Sequence, residues 1–226
     1  MEFLFDTANI EAIKTYQEVF PITGVTSNPS IIKAEGKIDL FAHFRRIREI
    51  IGMDKSLHIQ VVSGNCEGML QEADAILQNV DDKVYIKVPV TEEGLKAIKI
   101  LKSRSVKITA TAIYTKMQAI LATMAGADYI APYFNRMENM SIDPRAVISE
   151  VAELINLYQY PTKILAASFK NAGQITDAFS CGAQSATVAP SILCDALKMP
   201  AIGQAVENFR KDWESVFGKG VSITDL

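Results

Sequence analysis

Val84-Tyr85-Ile86-Lys87-Val88-Pro89-Val90 is the stretch that decides the fold. It is β-branched and apolar, broken once by a lysine, closed by a proline and followed by the helix signal Thr91-Glu92-Glu93. Such a run reads as a buried parallel strand that feeds a helix. Strand side chains alternate, so Val84, Ile86 and Val88 share one face and Tyr85, Lys87 and Pro89 the other. The first face is ready to pack against helices. The second carries an amine at the strand's carboxyl end among apolar neighbours. Burial disfavours the ammonium ion and leaves a nucleophilic amine, which is what a Schiff-base lysine requires. An arbitrary lysine snorkels to solvent instead; Lys87 is set apart by the residues that accompany it.

The same strand-then-helix unit recurs along the chain. Strand signals at 3–6, 24–28, 58–62, 106–113, 129–133, 162–168 and 185–190 join the Lys87 strand to make eight. Helical spacing follows at 9–20, near Ile31-Ile32, at 39–51 and 67–77, through Leu95, Ile98 and Leu101, through Met117, Ile120, Leu121 and Met124, and at 144–158, with apolar helices after the last two strands. Eight such units in 226 residues predict an α/β fold, a (β/α)8 TIM barrel closed on itself. An open doubly wound sheet is the competing architecture, and no Gly-x-Gly-x-x-Gly follows the first strand to support it. An extra C-terminal helix over about 201–217, with Val206, Phe209, Trp213, Val216 and Phe217, is expected to close the barrel or to contact a partner subunit. No linker or low-complexity tract interrupts residues 1–226, so a single domain is expected.

Composition narrows the function. Hydrophobic residues make up 49% and charged residues 22%, an ordinary globular balance, and the net charge of −3 speaks against a nucleic-acid surface. The cluster Arg45-Arg46-Ile47-Arg48 reads as one solvated helix face. Three cysteines, Cys66, Cys181 and Cys194, form no Cys-x-x-Cys pair and give no disulfide framework. The amino terminus lacks a basic flank and a long apolar core, and no run is long enough to span a membrane, so a cytoplasmic protein is expected.

Catalytic groups of a TIM barrel lie at the carboxyl ends of its strands. With the more apolar face of each strand turned outward, Asp6, Thr26 and Asn28, Gln60, Thr109 and Thr111, Tyr133 and Ser168 share the register of Lys87. One strand threonine bonds to a neighbouring carbonyl; polar residues arriving together from seven strands, that of Lys87 included, imply a water-containing site, because buried polar groups must be satisfied. Arg136 follows the sixth strand and Lys170 follows Ser168. The loops after late barrel strands are frequent phosphate sites, so a phosphate read by Arg136, Ser168 and Lys170 is expected. A metal-dependent aldolase or isomerase would need clustered His and carboxylate ligands. Only His43, on a helix, and His58, at the start of a strand, are available, so no metal and no cofactor is expected.

Phe5-Asp6-Thr7-Ala8-Asn9, Gly24-Val25-Thr26-Ser27-Asn28-Pro29-Ser30, Ile86-Lys87-Val88-Pro89-Val90 with Thr91 to Gly94, and Ala166-Ala167-Ser168-Phe169-Lys170 resemble the small transaldolase family. The resemblance covers essentially the whole chain. It implies that Lys87 is the Schiff-base lysine, that Asp6 is an acid/base, and that Asn28, Thr111 and Ser168 line the substrate. It also implies a homodecamer of two pentameric rings in which the C-terminal helix reaches a neighbour. Transaldolases carry glutamate where Gln60 stands and phenylalanine where Tyr133 stands, so these two positions resemble the fructose-6-phosphate aldolase branch. A phenol can protonate the enamine left after carbon–carbon cleavage and release the fragment without an acceptor sugar. The reaction so implied is reversible cleavage of fructose 6-phosphate to dihydroxyacetone and glyceraldehyde 3-phosphate. The alternative is transaldol transfer of the dihydroxyacetone unit between sugar phosphates of the pentose phosphate pathway.

Overall fold

The computed structural model describes residues 1–226. In chain order the elements are β1 (Glu2–Asp6), α1 (Ile10–Gln17), β2 (Ile22–Thr26), α2 (Pro29–Glu35), α3 (Leu40–Ile51), β3 (Ser56–Gln60), α4 (Cys66–Asn79), β4 (Tyr85–Pro89), α5 (Glu92–Ser103), β5 (Lys107–Ile113), α6 (Lys116–Met124), β6 (Tyr129–Pro132), α7 (Phe134–Asn139), α8 (Pro144–Leu157), β7 (Lys163–Ala166), α9 (Ala172–Ser180), β8 (Ser185–Val188), α10 (Pro190–Leu197) and α11 (Pro200–Phe217). The eight strands are parallel and close into a barrel in sequence order, β1 pairing with both β2 and β8. The predicted (β/α)8 architecture with an additional C-terminal helix is the observed one.

Alternation in β4 sets the layers. Val84, Ile86 and Val88 are wholly buried on the outer side of the barrel wall, where Ile98 and Leu101 of α5 are buried with them. Burying an Ile or Leu side chain contributes roughly 1.5–3 kcal/mol. α5 is held close to the end of β4 by its cap. Thr91 Oγ1 accepts from the Gly94 amide at 3.0 Å, and a Cβ on Gly94 would fall 1.9 Å from the Pro89 carbonyl oxygen. Only glycine allows that approach. Inside the barrel, Leu4, Tyr129 and Leu165 form an apolar floor with Tyr85 packed against them.

Several boundaries differ from the pattern reading, each for a local reason. β2 stops at Thr26 because Asn28 turns out of the strand and caps α2, its Oδ1 accepting from the Ser30 and Ile31 amides. β3 begins two residues earlier than expected. It does not reach Val62, which is exposed and gives its amide to the Glu72 carboxylate at 2.7 Å. β7 ends at Ala166, and Ser168 adopts a left-handed φ of 63°. The six-residue helix α7 is too short to carry a periodic signal and was not expected.

Arg48 requires a correction. It was expected on a solvated face, yet it is 7% exposed and donates to Asp81 at 2.7 Å and to the carbonyls of Gly52 at 2.9 Å and Lys55 at 2.7 Å. The hydrophobic stripe of α3 passes through Phe44, Ile47 and Ile51, and Arg48 lies next to that stripe. The guanidinium therefore ties the end of α3 to the turn before β3. Arg46 keeps the exposed reading, pairing with Glu49.

The chain divides into a barrel body, residues 1–190, and a carboxyl-terminal unit, residues 191–226. Within the latter, α11 ends on a small core in which Trp213 stacks on Phe217 at 4.2 Å and donates from Nε1 to the Val221 carbonyl at 2.7 Å. Its Ile202, Val206, Phe209, Val216 and Phe217 side chains are exposed in the single chain. No helix is long and apolar enough to cross a membrane.

Candidate active site

Lys87 pairs in register with Gln60 on one side and Thr109 on the other, and it is only 3% exposed. Burial pushes its amine below the ordinary lysine range, opposed by attraction to the Asp6 carboxylate. Burial likewise pushes the Asp6 carboxyl up, against Lys87, the Thr26 hydrogen bond and Arg136. In both groups desolvation outweighs the mutual attraction, so each is driven toward its neutral form. That is the state in which an amine attacks a carbonyl.

Lys87 and Asp6 open onto a cavity of about 570 Å³ at the carboxyl ends of the strands. Of the residues predicted from the sequence, Asn28, Tyr133, Arg136, Ser168 and Lys170 also line it. Thr26 and Thr111 stand behind the lining as hydrogen-bonding partners. Thr26 Oγ1 donates to Asp6 Oδ1 at 2.7 Å, and Thr111 Oγ1 shares a 2.9 Å hydrogen bond with the Tyr133 hydroxyl. Gln60 does not line this cavity. It borders a second one, of about 280 Å³, and its Oε1 is a buried acceptor without a partner, able to hold a water.

The loop after β6 places three of these groups at once. The Ala167 amide donates to the Pro132 carbonyl at 3.0 Å, Phe134 to the Ala167 carbonyl at 2.8 Å, and Asn135 to the Ser168 carbonyl at 2.9 Å. The start of α7 is thus laced to the end of β7, and Tyr133, Asn135 and Arg136 are brought beside Ser168. The left-handed backbone of Ser168 turns its carbonyl into this lacing, a strained conformation of the kind held at functional sites. The Arg136 guanidinium lies 4.6 Å over the Tyr133 ring. Burial raises the Tyr133 phenol above its ordinary value of 10, with Thr111 and Arg136 opposing, so the phenol keeps its proton through the neutral range.

The matching sequence model covers residues 3–226 and describes the Transaldolase/Fructose-6-phosphate aldolase family. The chain belongs to that family. It is 49% identical, over 94% of its own length and 96% of the relative's, to the "Probable fructose-6-phosphate aldolase" of Streptococcus pneumoniae (strain ATCC 700669 / Spain 23F-1). It is thus an enzyme of the aldolase/transaldolase type, close to fructose-6-phosphate aldolase, and sugar phosphates fit the family as substrates.

The family setting draws attention to residues that strand patterns left out. Thr187 of β8 shares a 2.6 Å hydrogen bond with Thr26 and lines the cavity. Its signal was present, since Ser185-Ala186-Thr187-Val188 alternates like the Thr109 and Thr111 strand. Asn135 also lines the cavity, but from a helix too short to predict. The two histidines are far from metal-like surroundings. His43 Nε2 contacts the Ala8 carbonyl at 2.7 Å, and His58 is sealed within the barrel between Ser56 and Thr109.

Proposed function

We propose that this enzyme is a class I aldolase that reversibly cleaves fructose 6-phosphate to dihydroxyacetone and glyceraldehyde 3-phosphate through a Schiff base on Lys87. The observation that carries this reading is one buried amine and one buried, protonated phenol opening onto the same cavity. The neutral Lys87 amine adds to the C2 carbonyl, and loss of water leaves an iminium that serves as an electron sink. The C4 hydroxyl gives up its proton and the C3–C4 bond breaks. Its electron pair moves into the iminium to form an enamine, and glyceraldehyde 3-phosphate departs. Protonation of the enamine carbon restores the iminium, and water hydrolyses it to dihydroxyacetone and free Lys87.

Tyr133 supplies that proton, its phenol held by the hydrogen bond to Thr111. Asp6 takes part in proton transfer or orients the amine through its charge. Arg136, Ser168 and Lys170 hold the phosphate by charge-assisted hydrogen bonds, Asn28 lines the sugar side of the cavity, and Thr26 steadies Asp6 from behind it. The route draws on no metal or cofactor.

We assign the active form to a cytoplasmic homodecamer of two pentameric rings, as family resemblance implies. The exposed apolar side chains of α11 and the free thiols of Cys66, Cys181 and Cys194 support that assignment.

The test is release of glyceraldehyde 3-phosphate from fructose 6-phosphate with and without erythrose 4-phosphate. Release without acceptor is expected, because a protonated enamine is discharged. Release only with acceptor overturns the aldolase reading in favour of transaldol transfer by the same lysine.

A further inference from the structure

Gln174, the third residue of α9, is 7% exposed and engages both ends of its side-chain amide within the chain. The direction of each bond is fixed by its partner. The Lys170 backbone amide can only donate, and it gives its proton to Gln174 Oε1 at 2.7 Å. Gln174 Nε2 is therefore the donor end, and it donates to the Glu138 carboxylate at 2.6 Å and to Asn135 Oδ1 at 3.1 Å. Glu138 is held in turn by Arg145 at 3.0 Å. Asn135 thus turns its amide oxygen to Gln174, and the other end of that amide, Nδ2, faces away.

Asn135 Nδ2 has no hydrogen-bond partner in the chain. The buried side-chain polar atoms without partners are Ser27 Oγ, Arg48 Nη2, Gln60 Oε1 and Thr123 Oγ1, so Nδ2 is open to solvent, and Asn135 lines the cavity together with Arg136, Ser168 and Lys170. Its backbone amide, donating to the Ser168 carbonyl at 2.9 Å, keeps it beside that serine. A glutamine that merely capped its helix would resemble Gln118 of α6, whose Oε1 accepts from the Tyr114 and Thr115 amides and whose nitrogen holds no other side chain. Gln174 caps α9 and also chooses which end of a second amide meets the cavity. A sugar hydroxyl donates or accepts and is served by either end, whereas a phosphate oxygen accepts and needs the donor end.

We propose that Asn135 is a further phosphate-binding residue, a neutral donor beside Arg136, and that Gln174 is the positioning residue that fixes its amide in the donor sense. This inference rests on the phosphate reading of Arg136, Ser168 and Lys170 given above. The two cations supply charge, and the locked amide supplies direction. The one carboxylate of α7, Glu138, is occupied by Gln174 and Arg145 and so is kept from competing for the cations of the cavity.

The test is steady-state cleavage of fructose 6-phosphate and of unphosphorylated fructose by the full-length protein, with a thermal melt of each variant. Asn135→Ala is expected to raise KM for fructose 6-phosphate roughly 10- to 150-fold, the worth of one hydrogen bond to a charged group, with kcat and the cleavage of fructose within about threefold. Exchanging the two partners, Gln174→Glu together with Glu138→Gln, keeps the net charge, the Lys170 contact and the link from α9 to α7, and leaves a carboxylate oxygen facing Asn135. The Asn135 amide must then turn Nδ2 to the new carboxylate and present its oxygen to the cavity. The exchange is expected to raise KM for fructose 6-phosphate as much as Asn135→Ala does, and to add less than about twofold when built on Asn135→Ala. A merely structural clamp predicts the opposite, a parental KM, since the exchange preserves the ties between the helices. KM at the parental value in Asn135→Ala or in the exchange overturns the proposal, as do equal losses on the two sugars or a further large rise when the exchange is built on Asn135→Ala. Should the exchange not fold, Asn135→Ala alone decides. An Arg136→Ala protein with unchanged KM would instead remove the phosphate reading on which the proposal stands, whereas a raised KM there beside a parental KM in Asn135→Ala leaves that reading in place and sinks only this one.

Discussion

Replacing Tyr133 by phenylalanine takes away a single oxygen and keeps the ring. The ring stays edge-on to Tyr114 at 5.5 Å and under the Arg136 guanidinium at 4.6 Å. What is lost is the 2.9 Å hydrogen bond to Thr111 and the proton that the phenol holds. Leaving the buried Thr111 hydroxyl without that partner costs about 1–3 kcal/mol of stability. Proton transfer from a positioned side chain contributes roughly 10²- to 10⁴-fold to rate, or about 3–5.5 kcal/mol of barrier at about 1.4 kcal/mol per tenfold. The chemical loss therefore exceeds the structural one, and it falls on a particular step. Without the phenol the enamine waits for a proton from water. An added aldehyde acceptor bypasses that wait, because its carbonyl carbon captures the enamine directly. Release of glyceraldehyde 3-phosphate in the absence of acceptor is expected to fall about 10²- to 10⁴-fold, and turnover with erythrose 4-phosphate to fall much less. Both rates are read by coupled detection of the triose phosphate, with a thermal melt to show that the protein is folded. Acceptor-free release within about twofold of the unaltered enzyme would refute the protonation role. Equal losses with and without acceptor would refute it too, by placing the phenol before the enamine.

Asp6→Asn removes the attraction that holds the Lys87 amine up against burial. The amine is then easier to deprotonate, so the acid limb of borohydride trapping should move to lower pH; a shift to higher pH or none would exclude the electrostatic role. Arg136→Ala should raise KM for fructose 6-phosphate roughly 10- to 150-fold, the worth of one charge-assisted hydrogen bond, with little effect on unphosphorylated fructose; equal effects on the two sugars would exclude phosphate recognition. Arg48→Ala strips the partner from Asp81, itself largely buried, and from two carbonyls. It should cost about 3–5 kcal/mol in urea unfolding, whereas a midpoint unchanged from the parent would return Arg48 to the solvated face. Gly94→Ala forces a Cβ to 1.9 Å from the Pro89 carbonyl oxygen unless α5 shifts. A stability loss of about 1–3 kcal/mol is expected, together with weaker cleavage, because the helix rests on the end of the Lys87 strand; a wild-type melt would show that the helix moves freely.

The barrel and the inward face of β4 were legible because both depend on local patterns: strand length, alternation, and a helix signal after each strand. The cavity was legible in part for the same reason, since Asp6, Lys87, Tyr133 and Ser168 end strands or follow them. What local patterns could not supply is register and side-chain reach. Gln60 pairs with Lys87 across β3 and β4, yet it borders a different cavity, and nothing in Ile59-Gln60-Val61 distinguishes the two outcomes. Arg48 was misread because a run of arginines looks solvated until the stripe of α3 is seen to pass beside one of them. His58 is the most instructive case. As a single histidine it could be weighed only as a missing metal ligand, and by that measure it was too few. Its partners Ser56 and Thr109 are 2 and 51 residues away, and Thr23 lies on a third strand. That chain ends on the Thr23 backbone carbonyl, a group every residue has and no sequence pattern can single out. A buried histidine in a barrel strand is therefore better asked which polar neighbours it ties together than which metal it awaits, and here His58 joins Ser56 of its own strand to Thr109 of β5 inside the barrel.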